Sequence, residues 1–289
     1  MDTITIIGLG RLGSALAHAL HHWNYQIKAV IDSKLSIAAS IAQAVKAETF
    51  GSKLPLPVAA NMVFLCVPDD EIAPIAALLA RSDGKEFLPR YAFHCSGALT
   101  SDALTPLRQL GVHCASLHPI QSFAGKADDW QKLSNIFFGL EGDIEAVQKA
   151  IELVETIQSD WLIVPKENKV IYHIACTIAS NYLVAMLIPA VKLLAQMSLP
   201  EHQILKLLRP LMETTLGNLT SQGIEAALSG PISRGDVHTI ENHLKMLETK
   251  LPHFVLFYKL HGQILLELKS VSERIPPEKY QQLKKLLVD

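Results

Sequence analysis

The N-terminal segment is Ile4-Thr5-Ile6-Ile7-Gly8-Leu9-Gly10-Arg11-Leu12-Gly13, in which an apolar run is followed by three spaced glycines. The apolar run predicts a buried strand, and the alanine- and leucine-rich residues after the third glycine predict a helix. A G-x-G-x-x-G turn between a strand and a helix is typical of dinucleotide-binding βαβ units, where backbone amides at the helix start bind the pyrophosphate. A glycine-rich turn that binds nothing is the alternative. We expect the cofactor-binding residues here to be Gly8, Leu9, Gly10, Arg11, Leu12 and Gly13.

The second predicted strand ends at Asp32, 19 residues after Gly13. A carboxylate at this position accepts hydrogen bonds from the adenosine ribose and repels a 2′-phosphate, so it favours NAD over NADP. Ser33 and Lys34 follow, and Lys34 can hold a phosphate instead. The sequence therefore predicts NAD or NADP as the cofactor, with a preference for NAD, and places Asp32 and Ser33 in its site. The alternative is that Asp32 serves only as a helix cap or turn residue.

Two further predicted strands end in residues that belong at the same edge of the sheet. One ends at Val67 and Pro68, and another leads into Ser96 and Gly97. In a doubly wound sheet, cofactors bind in the crevice at the carboxyl ends of the strands. We therefore expect all four residues to lie at the cofactor or the substrate. The acids that follow Pro68 more simply cap the next helix.

The pattern of strands and helices changes once along the chain. Up to about residue 165, short β-branched runs alternate with helical stretches, which indicates an α/β fold with a doubly wound, mostly parallel sheet of the Rossmann type. After Pro165 the strand signals stop and long helical periodicity follows. We predict a dinucleotide-binding domain over residues 1–165 and an all-helical domain for substrate binding and dimerisation over residues 166–289.

Charge and cysteine usage exclude several partners. The net charge is −2 and like charges form no long block, so we expect no nucleic-acid partner. The four cysteines form no C-x-x-C pair, which indicates reduced thiols, and the N-terminus lacks the features of a signal peptide. We predict a cytoplasmic location.

A zinc site is the alternative reading of the histidines and cysteines near the predicted strand ends. The candidate ligands are His94, Cys95, His113, Cys114 and His118. Structural zinc sites usually take ligand pairs separated by two to four residues, whereas two of these pairs are adjacent in sequence. Neighbouring side chains of a strand point to opposite faces, so we expect no metal site.

The chain is short of charge, with 49% apolar and 19% charged residues. The apolar excess is concentrated in residues 170–197, a stretch long enough to span a bilayer. Because Lys192 would fall inside the hydrocarbon and aromatic belts are lacking, we expect a helix buried by protein and no membrane contact. A helical domain of about 120 residues cannot easily cover such a helix alone. The sequence therefore predicts a homodimer in which the helical domains pack together.

Polar residues on this apolar helix recur at helical spacing. Lys169, His173, Thr177 and Asn181 are separated by four residues each, and Ser180 lies beside the last. They form one stripe, which we expect to face a substrate cleft because buried polar groups require partners. We assign His173 as a general acid, Asn181 as the group that orients a carbonyl or imine, Lys169 as a further catalytic candidate and Thr177 as a substrate contact. Core hydrogen bonding or a dimer contact explains the stripe equally well.

Two other polar residues are substrate-binding candidates. His118 lies in the block of residues 116–123, just after a predicted strand. Arg234 lies in the block of residues 230–236, between two predicted helices. An arginine can bind a carboxylate with two parallel hydrogen bonds. The alternative for Arg234 is a rigid loop in which it pairs with Asp236.

Three blocks carry a family resemblance together with the glycine fingerprint. They are His94-Cys95-Ser96-Gly97-Ala98-Leu99, Ser116-Leu117-His118-Pro119-Ile120-Gln121-Ser122-Phe123 and Gly230-Pro231-Ile232-Ser233-Arg234-Gly235-Asp236. The chain resembles a family of Rossmann-like proteins with a C-terminal helical domain of unknown function, labelled as NADP oxidoreductases. More distantly, it is similar to pyrroline-5-carboxylate reductases, deazaflavin-dependent NADP oxidoreductases and β-hydroxyacid dehydrogenases.

The resemblance implies an NAD(P)-dependent oxidoreductase that transfers a hydride between nicotinamide and a small carbonyl, imine or hydroxy-acid substrate. It also implies that the helical domain completes the site and dimerises. The chain departs from many relatives, which have Ser-Arg or Asn-Arg where it has Asp32-Ser33, so the arginine that binds the NADP phosphate is missing. It also lacks the lysine that β-hydroxyacid dehydrogenases place one turn from their asparagine. The alternatives are an inactive dinucleotide-binding sensor and a non-redox Rossmann enzyme.

Overall fold

The computed structural model describes residues 2–54, 60–81 and 88–288. They divide into two compact units, Met1–Ser180 and Asn181–Asp289. The last strand ends at Ile163, close to the boundary expected near residue 165, but the first unit continues through one more helix.

In the described part of the chain, the first unit contains one sheet of eight strands. Their bounds are Thr3–Ile7 (β1), Gln26–Ile31 (β2), Thr49–Gly51 (β3), Met62–Leu65 (β4), Tyr91–His94 (β5), His113–Pro119 (β6), Phe137–Gly142 (β7) and Asp160–Ile163 (β8). The strand order is β3-β2-β1-β4-β5-β6-β7-β8. All neighbours are parallel except β6 and β7. The predicted α/β class with a mostly parallel sheet is confirmed.

Helices cover both faces of this sheet. The helices of the first unit are Arg11–His22 (α1), Leu35–Val45 (α2), Asp69–Ala80 (α3), Thr105–Arg108 (α4), Ile144–Thr156 (α5) and Lys169–Thr177 (α6). One apolar cluster joins α1 and α5 to the sheet through residues such as Ile6 and Leu16, and a second joins α3 through Ile7 and Ile72. Ile6 and Ile7 are neighbours on β1 and face opposite clusters, as the alternation of strand side chains requires. A sheet buried on both faces accounts for part of the apolar excess.

The edge of the sheet at β8 is unusual. All four residues of β8 are exposed, including Trp161, Leu162 and Ile163. β8 pairs with β7 on one side. Among the described residues, no other strand pairs with its second side.

The second unit is helical. Its helices are Leu183–Ala195 (α7), Glu201–Gln222 (α8), Ile224–Ala227 (α9), Pro231–Arg234 (α10), Val237–Lys250 (α11), Val255–Leu266 (α12), Lys269–Ser272 (α13) and Pro277–Val288 (α14). Its core is formed mainly by α11, α12 and α14, with fully buried Ile240, Leu283 and Leu287. The predicted helical C-terminal region is confirmed.

The apolar helix is not enclosed within one chain. Of the described stretches, Lys166–Ala195 is the one helix long and apolar enough to cross a membrane, by length and composition, with a mean hydropathy of 1.8 in its test window. Only 6% of that window is buried. The single chain therefore leaves this helix largely exposed, as expected of a helical domain too small to cover it, and its burial by a second copy stays a prediction. Its apolar side chains reach the surface because too few elements of the same chain pack against them.

Candidate cofactor and active site

The glycine turn has the geometry that its sequence predicts. Gly8 has a φ of +89°, and a Cβ added there would lie 2.6 Å from the carbonyl oxygen of Cys66. A Cβ at Gly13 would collide with the carbonyl oxygen of Gly8. At Gly10, by contrast, no heavy atom of the described residues lies within 4 Å of an added Cβ. The first and third glycines therefore permit close packing, and the second leaves the helix start open to a ligand.

Asp32 is bound to the same turn. Its Oδ2 accepts a hydrogen bond from the Leu9 amide at 2.8 Å, and its Oδ1 accepts one from the Lys34 amide at 2.9 Å. Each carboxylate oxygen keeps a further lone pair, so Asp32 can still accept bonds from ribose hydroxyls. The turn role and the expected cofactor role are thus compatible.

A cavity of about 570 Å³ opens beside this turn. It is lined by the predicted residues Gly8, Gly10, Asp32, Ser33, Val67 and Pro68, and by the apolar Leu54 and Ile75. A second cavity of about 500 Å³, with Leu9, Gly10 and Arg11 in its wall, lies along α1. Leu12 packs instead against the core. An open helix start, a carboxylate at the end of β2 and an apolar wall fit the pyrophosphate, ribose and adenine of a dinucleotide.

His94 fixes the conformation of the turn after β5 through two hydrogen bonds. The amide of Ser96 donates to His94 Nδ1 at 3.2 Å, and His94 Nε2 lies 3.0 Å from the Thr100 carbonyl oxygen. Burial lowers the pKa of His94 to about 4, so the ring is neutral, with Nδ1 as acceptor and Nε2–H as donor. Both ring nitrogens are therefore used in shaping the Ser96–Gly97 turn.

Gly97, His118, Tyr172 and His173 come together at the carboxyl edge of the sheet, and we call these four residues the histidine cluster. A Cβ added at Gly97 would lie 2.7 Å from His173 Cδ2 and 2.9 Å from His118 Nε2. The phenol oxygen of Tyr172 lies 2.6 Å from His118 Nδ1. The two histidine ring centroids are 6.2 Å apart. The predicted residues Gly97, His118 and His173 are therefore neighbours.

The electrostatic neighbours that shift His118 are all basic. Burial, followed in order of effect by Lys169, His173 and His94, lowers its pKa to about 4. Burial also raises the pKa of Tyr172 above its ordinary value. At neutral pH, the His118–Tyr172 pair is uncharged.

Lys169 lies beneath the Ser96–Gly97 turn and does not line an open cleft. Its side chain is fully buried, and Nζ donates to Ser116 Oγ at 2.8 Å and to the Ser96 carbonyl oxygen at 3.3 Å. Burial lowers its pKa, while the carboxylates of Glu141 and Asp69 act in the opposite direction. This geometry suits a residue that positions the turn, rather than the direct catalytic role expected from the sequence.

The predicted stripe is interrupted after Thr177. Residues Ile178–Tyr182 form a π-helical turn, which changes the angular spacing of the side chains that follow. Asn181 is exposed and belongs to the second unit, whereas Thr177 is half-buried in the first. The role expected for Asn181 therefore stays a prediction.

Arg234 pairs with its own loop. Its Nε lies 2.9 Å from Asp236 Oδ2, in the second unit. This is the rigid-loop arrangement named above as the alternative to substrate binding. Among the described residues, no group of three or more histidine, cysteine or acidic side chains is placed to hold a metal ion.

Tyr172 was missed by sequence reasoning because an aromatic residue on an apolar helix does not stand out as polar. Gly139, in the middle of β7, was the available signal, since a glycine inside a strand often marks a close approach. A Cβ at Gly139 would collide with the Tyr172 hydroxyl. The lack of a side chain at Gly139 thus leaves room for the Tyr172 hydroxyl group in the histidine cluster.

The fold and the glycine turn are those of the Rossmann class of dinucleotide-binding proteins. Residues 3–88 match the family described as NADP oxidoreductase, coenzyme F420-dependent, and residues 136–264 match a domain of unknown function, DUF2520. The chain is therefore similar to an NADP oxidoreductase family in its N-terminal part and to this domain in its C-terminal part, which confirms the resemblance found in the sequence.

Solved structures with the same fold cover almost the whole chain. A Bacteroides fragilis protein designated an NADP oxidoreductase is 22% identical, with a TM-score of 0.74, over 91% of this chain and 96% of its own. A Thermotoga maritima protein is 27% identical, with a TM-score of 0.72, over 94% and 100%. A reductive aminase from Aspergillus terreus, solved with NADPH and ethyl levulinate, is 14% identical, with a TM-score of 0.65, over 99% of each chain. No curated protein matches the chain.

Proposed function

We propose that this protein is an NAD(P)-dependent oxidoreductase that transfers a hydride between nicotinamide and a small carbonyl, imine or hydroxy-acid substrate. The observation that carries the proposal is the placement of two features at one edge of the sheet. The glycine turn with its cavity follows β1, and the histidine cluster lies at the ends of β5 and β6. Ligands of doubly wound folds bind at this edge.

The chain's own residues bind the cofactor and move the proton. The open amides of the glycine turn hold the pyrophosphate, and the Asp32 carboxylate accepts hydrogen bonds from the ribose hydroxyls. When bound, the reduced nicotinamide supplies the hydride. His173 acts as the general acid and donates a proton to the substrate atom that gains negative charge. Lys169 and His94 keep the Ser96–Gly97 turn in place beneath the two histidines.

Direct titration with reduced dinucleotides tests the proposal. We expect NADH to bind about tenfold more tightly than NADPH, a difference of ~1.4 kcal/mol, because the Asp32 carboxylate repels a 2′-phosphate. Asp32→Asn keeps an acceptor for the Leu9 amide but removes the charge, so it should narrow this difference. Quenching of protein fluorescence or calorimetry measures both affinities.

Asp160→Asn, on the exposed strand β8, is the matched control and should leave both dissociation constants unchanged. Equal affinity for NADH and NADPH in the unmodified protein would contradict the role of Asp32. If neither dinucleotide binds, the redox function itself is wrong.

The buried position of Lys169 favours a second candidate, a dinucleotide-binding sensor without turnover. Both the sensor and the enzyme should bind NADH and NADPH as described above. They differ in a screen of carbonyl, imine and hydroxy-acid compounds, where only the enzyme changes the absorbance of the reduced cofactor.

We also propose that the protein is a homodimer that buries its exposed apolar helices. Of the described side chains of α7, only Pro189 is buried, and Ile204 is the only one in α8. Exposed apolar residues include Val184, Leu207 and Leu211, each more than half exposed. Contiguous apolar surface of this kind marks an interaction site. A second copy that covers it suits the cytoplasmic location expected from the reduced thiols.

Light scattering should therefore give twice the chain mass of 31.8 kDa. Replacing both Leu207 and Leu211 with glutamate should shift the mass to that of one chain, because each new charge would have to be buried in the interface. Leu110→Glu, at an exposed leucine of the first unit, is the control and should stay dimeric. A single-chain mass for the unmodified protein, or a requirement for detergent, would contradict the dimer.

A further inference from the structure

His118 has one ring nitrogen engaged and one available. Nδ1 lies 2.6 Å from the Tyr172 hydroxyl, and among the described residues no hydrogen-bond partner contacts Nε2. The added Cβ at Gly97 shows where Nε2 points, since it would lie 2.9 Å away. The available nitrogen therefore lies close to Gly97, where an added methyl group would be too near to both histidine rings.

From this geometry, and on the basis of the proposed reductase function, we infer that Tyr172 fixes His118 as its Nε2–H tautomer and that the substrate accordingly presents a carbonyl oxygen, not a protonated imine. Tyr172 is a positioning residue in this scheme. His118 is the group that touches the substrate.

The direction of the Tyr172–His118 hydrogen bond follows from the available acceptors. The phenol proton requires an acceptor, and the sulfur of Cys176 is the other side-chain partner near the Tyr172 hydroxyl. An imidazole nitrogen accepts a hydrogen bond more strongly than a thiol sulfur does. Tyr172 therefore donates to Nδ1, and the ring proton of neutral His118 remains on Nε2.

A fixed Nε2–H group selects the substrate by hydrogen-bond complementarity. A carbonyl oxygen has lone pairs that accept from Nε2–H, whereas the N–H of a protonated imine has none and would place two donors face to face. The charge of Lys169 acts in the same direction, because its ammonium is close enough to lower the pKa of His118. A developing alkoxide is stabilised at this place by that positive charge.

The proposed reaction balances with a hydride donor and a proton donor. The carbonyl carbon receives a hydride from the reduced nicotinamide, which is oxidised, and the C=O π bond breaks toward oxygen. That oxygen takes a proton from His173, the general acid, which recovers one from solvent. His118 keeps its proton throughout and only donates a hydrogen bond. The product is an alcohol.

Long-range nitrogen–proton NMR of the full-length protein tests the tautomer without substrate or cofactor. The His118 signals are assigned by their loss in His118→Gln. We expect Nε2–H with an unprotonated Nδ1, unchanged between about pH 5 and 8 because His118 stays neutral there. An Nδ1–H tautomer, or a mixture of both, would overturn the inference.

Tyr172→Phe tests the positioning role in the same experiment. Loss of the hydroxyl should give His118 a mixture of tautomers, while Tyr182→Phe, at an exposed tyrosine, should leave it unchanged. Backbone amide spectra show whether each variant keeps its fold. A folded Tyr172→Phe protein with an unaltered His118 tautomer would show that Tyr172 does not set it.

The substrate class is tested by turnover with NADH on matched carbonyl compounds and their preformed imines. We expect reduction of carbonyl compounds, with a loss of at least about 100-fold in kcat for His118→Leu and partial recovery in His118→Gln, whose amide can donate near the Nε2 position. Turnover confined to imines would overturn the inference. Absence of dinucleotide binding, in contrast, would count against the reductase function itself.

Discussion

Gly13→Ala is expected to abolish dinucleotide binding and to cost ~3 kcal/mol of the free energy of unfolding, the upper part of the range for overpacking a close contact. The added methyl group would collide with the carbonyl oxygen of Gly8, which is backbone and cannot rotate away. The helix start must then move from β1, and the amides that face the pyrophosphate move with it. We expect affinity for NADH to fall at least about 100-fold, or ~2.7 kcal/mol. Urea denaturation and NADH titration measure the two effects.

Two alanine variants separate packing from ligand approach. Gly10→Ala should retain the stability of the unmodified protein, because no heavy atom of the described residues lies within 4 Å of the new methyl group. It should still weaken NADH binding, since that open space is where the pyrophosphate approaches. Gly217→Ala, in the interior of α8, should raise the free energy of unfolding by roughly 0.5–1 kcal/mol and leave NADH binding unchanged. Native stability and affinity in Gly13→Ala would refute the assignment of the turn.

Glu141→Gln is expected to destabilise the protein by ~3 kcal/mol, because removal of one member of a buried charge group leaves the other uncompensated. Glu141 is buried on β7, where its carboxylate accepts from the Ser101 amide at 2.6 Å and from the Ser101 hydroxyl at 2.9 Å. It is also the carboxylate that most favours the charged form of Lys169. Denaturant unfolding at neutral pH measures the loss.

A double-mutant cycle identifies the cause of that loss. Lys169→Met leaves the buried Glu141 without its counter-charge, so alone it should cost a similar ~3 kcal/mol, and the double variant should lose clearly less than the sum of the two single variants. Glu155→Gln, at an exposed glutamate of α5, is the control and should change stability by less than ~0.5 kcal/mol. Additive losses for Glu141→Gln and Lys169→Met would show that the two charges do not compensate each other.

The parts of the site that depend on local spacing could be predicted from the sequence. The glycine turn, the strand before it and Asp32 lie within one βαβ unit, and the structure has them as expected. The parts that depend on distant contacts could not. The partners of Lys169 are Ser96 and Ser116, which are 73 and 53 residues away. Helical spacing placed Lys169 on the predicted stripe, but only the packing of α6 against the sheet reveals its burial.

Asn181 and Tyr172 illustrate two other limits. Asn181 was assigned by counting at 100° per residue, and a π-helical turn at Ile178–Tyr182 breaks that count without a sequence signal that we recognised. Tyr172 gains its importance from Gly139, a glycine on a strand 33 residues earlier. A pair of this kind becomes visible only when helix and strand are placed side by side.

The exposed strand β8 has a consequence for how newly made chains behave. Trp161, Leu162 and Ile163 sit on a strand with one unpaired side, and Asp160 provides its only charge. Unprotected edges of this kind act as templates for β-sheet aggregation. Newly made chains are therefore exposed to competition between productive folding and precipitation. Raising the temperature or the rate of synthesis should shift that competition toward insoluble material, and a lysine in place of Leu162 should shift it back.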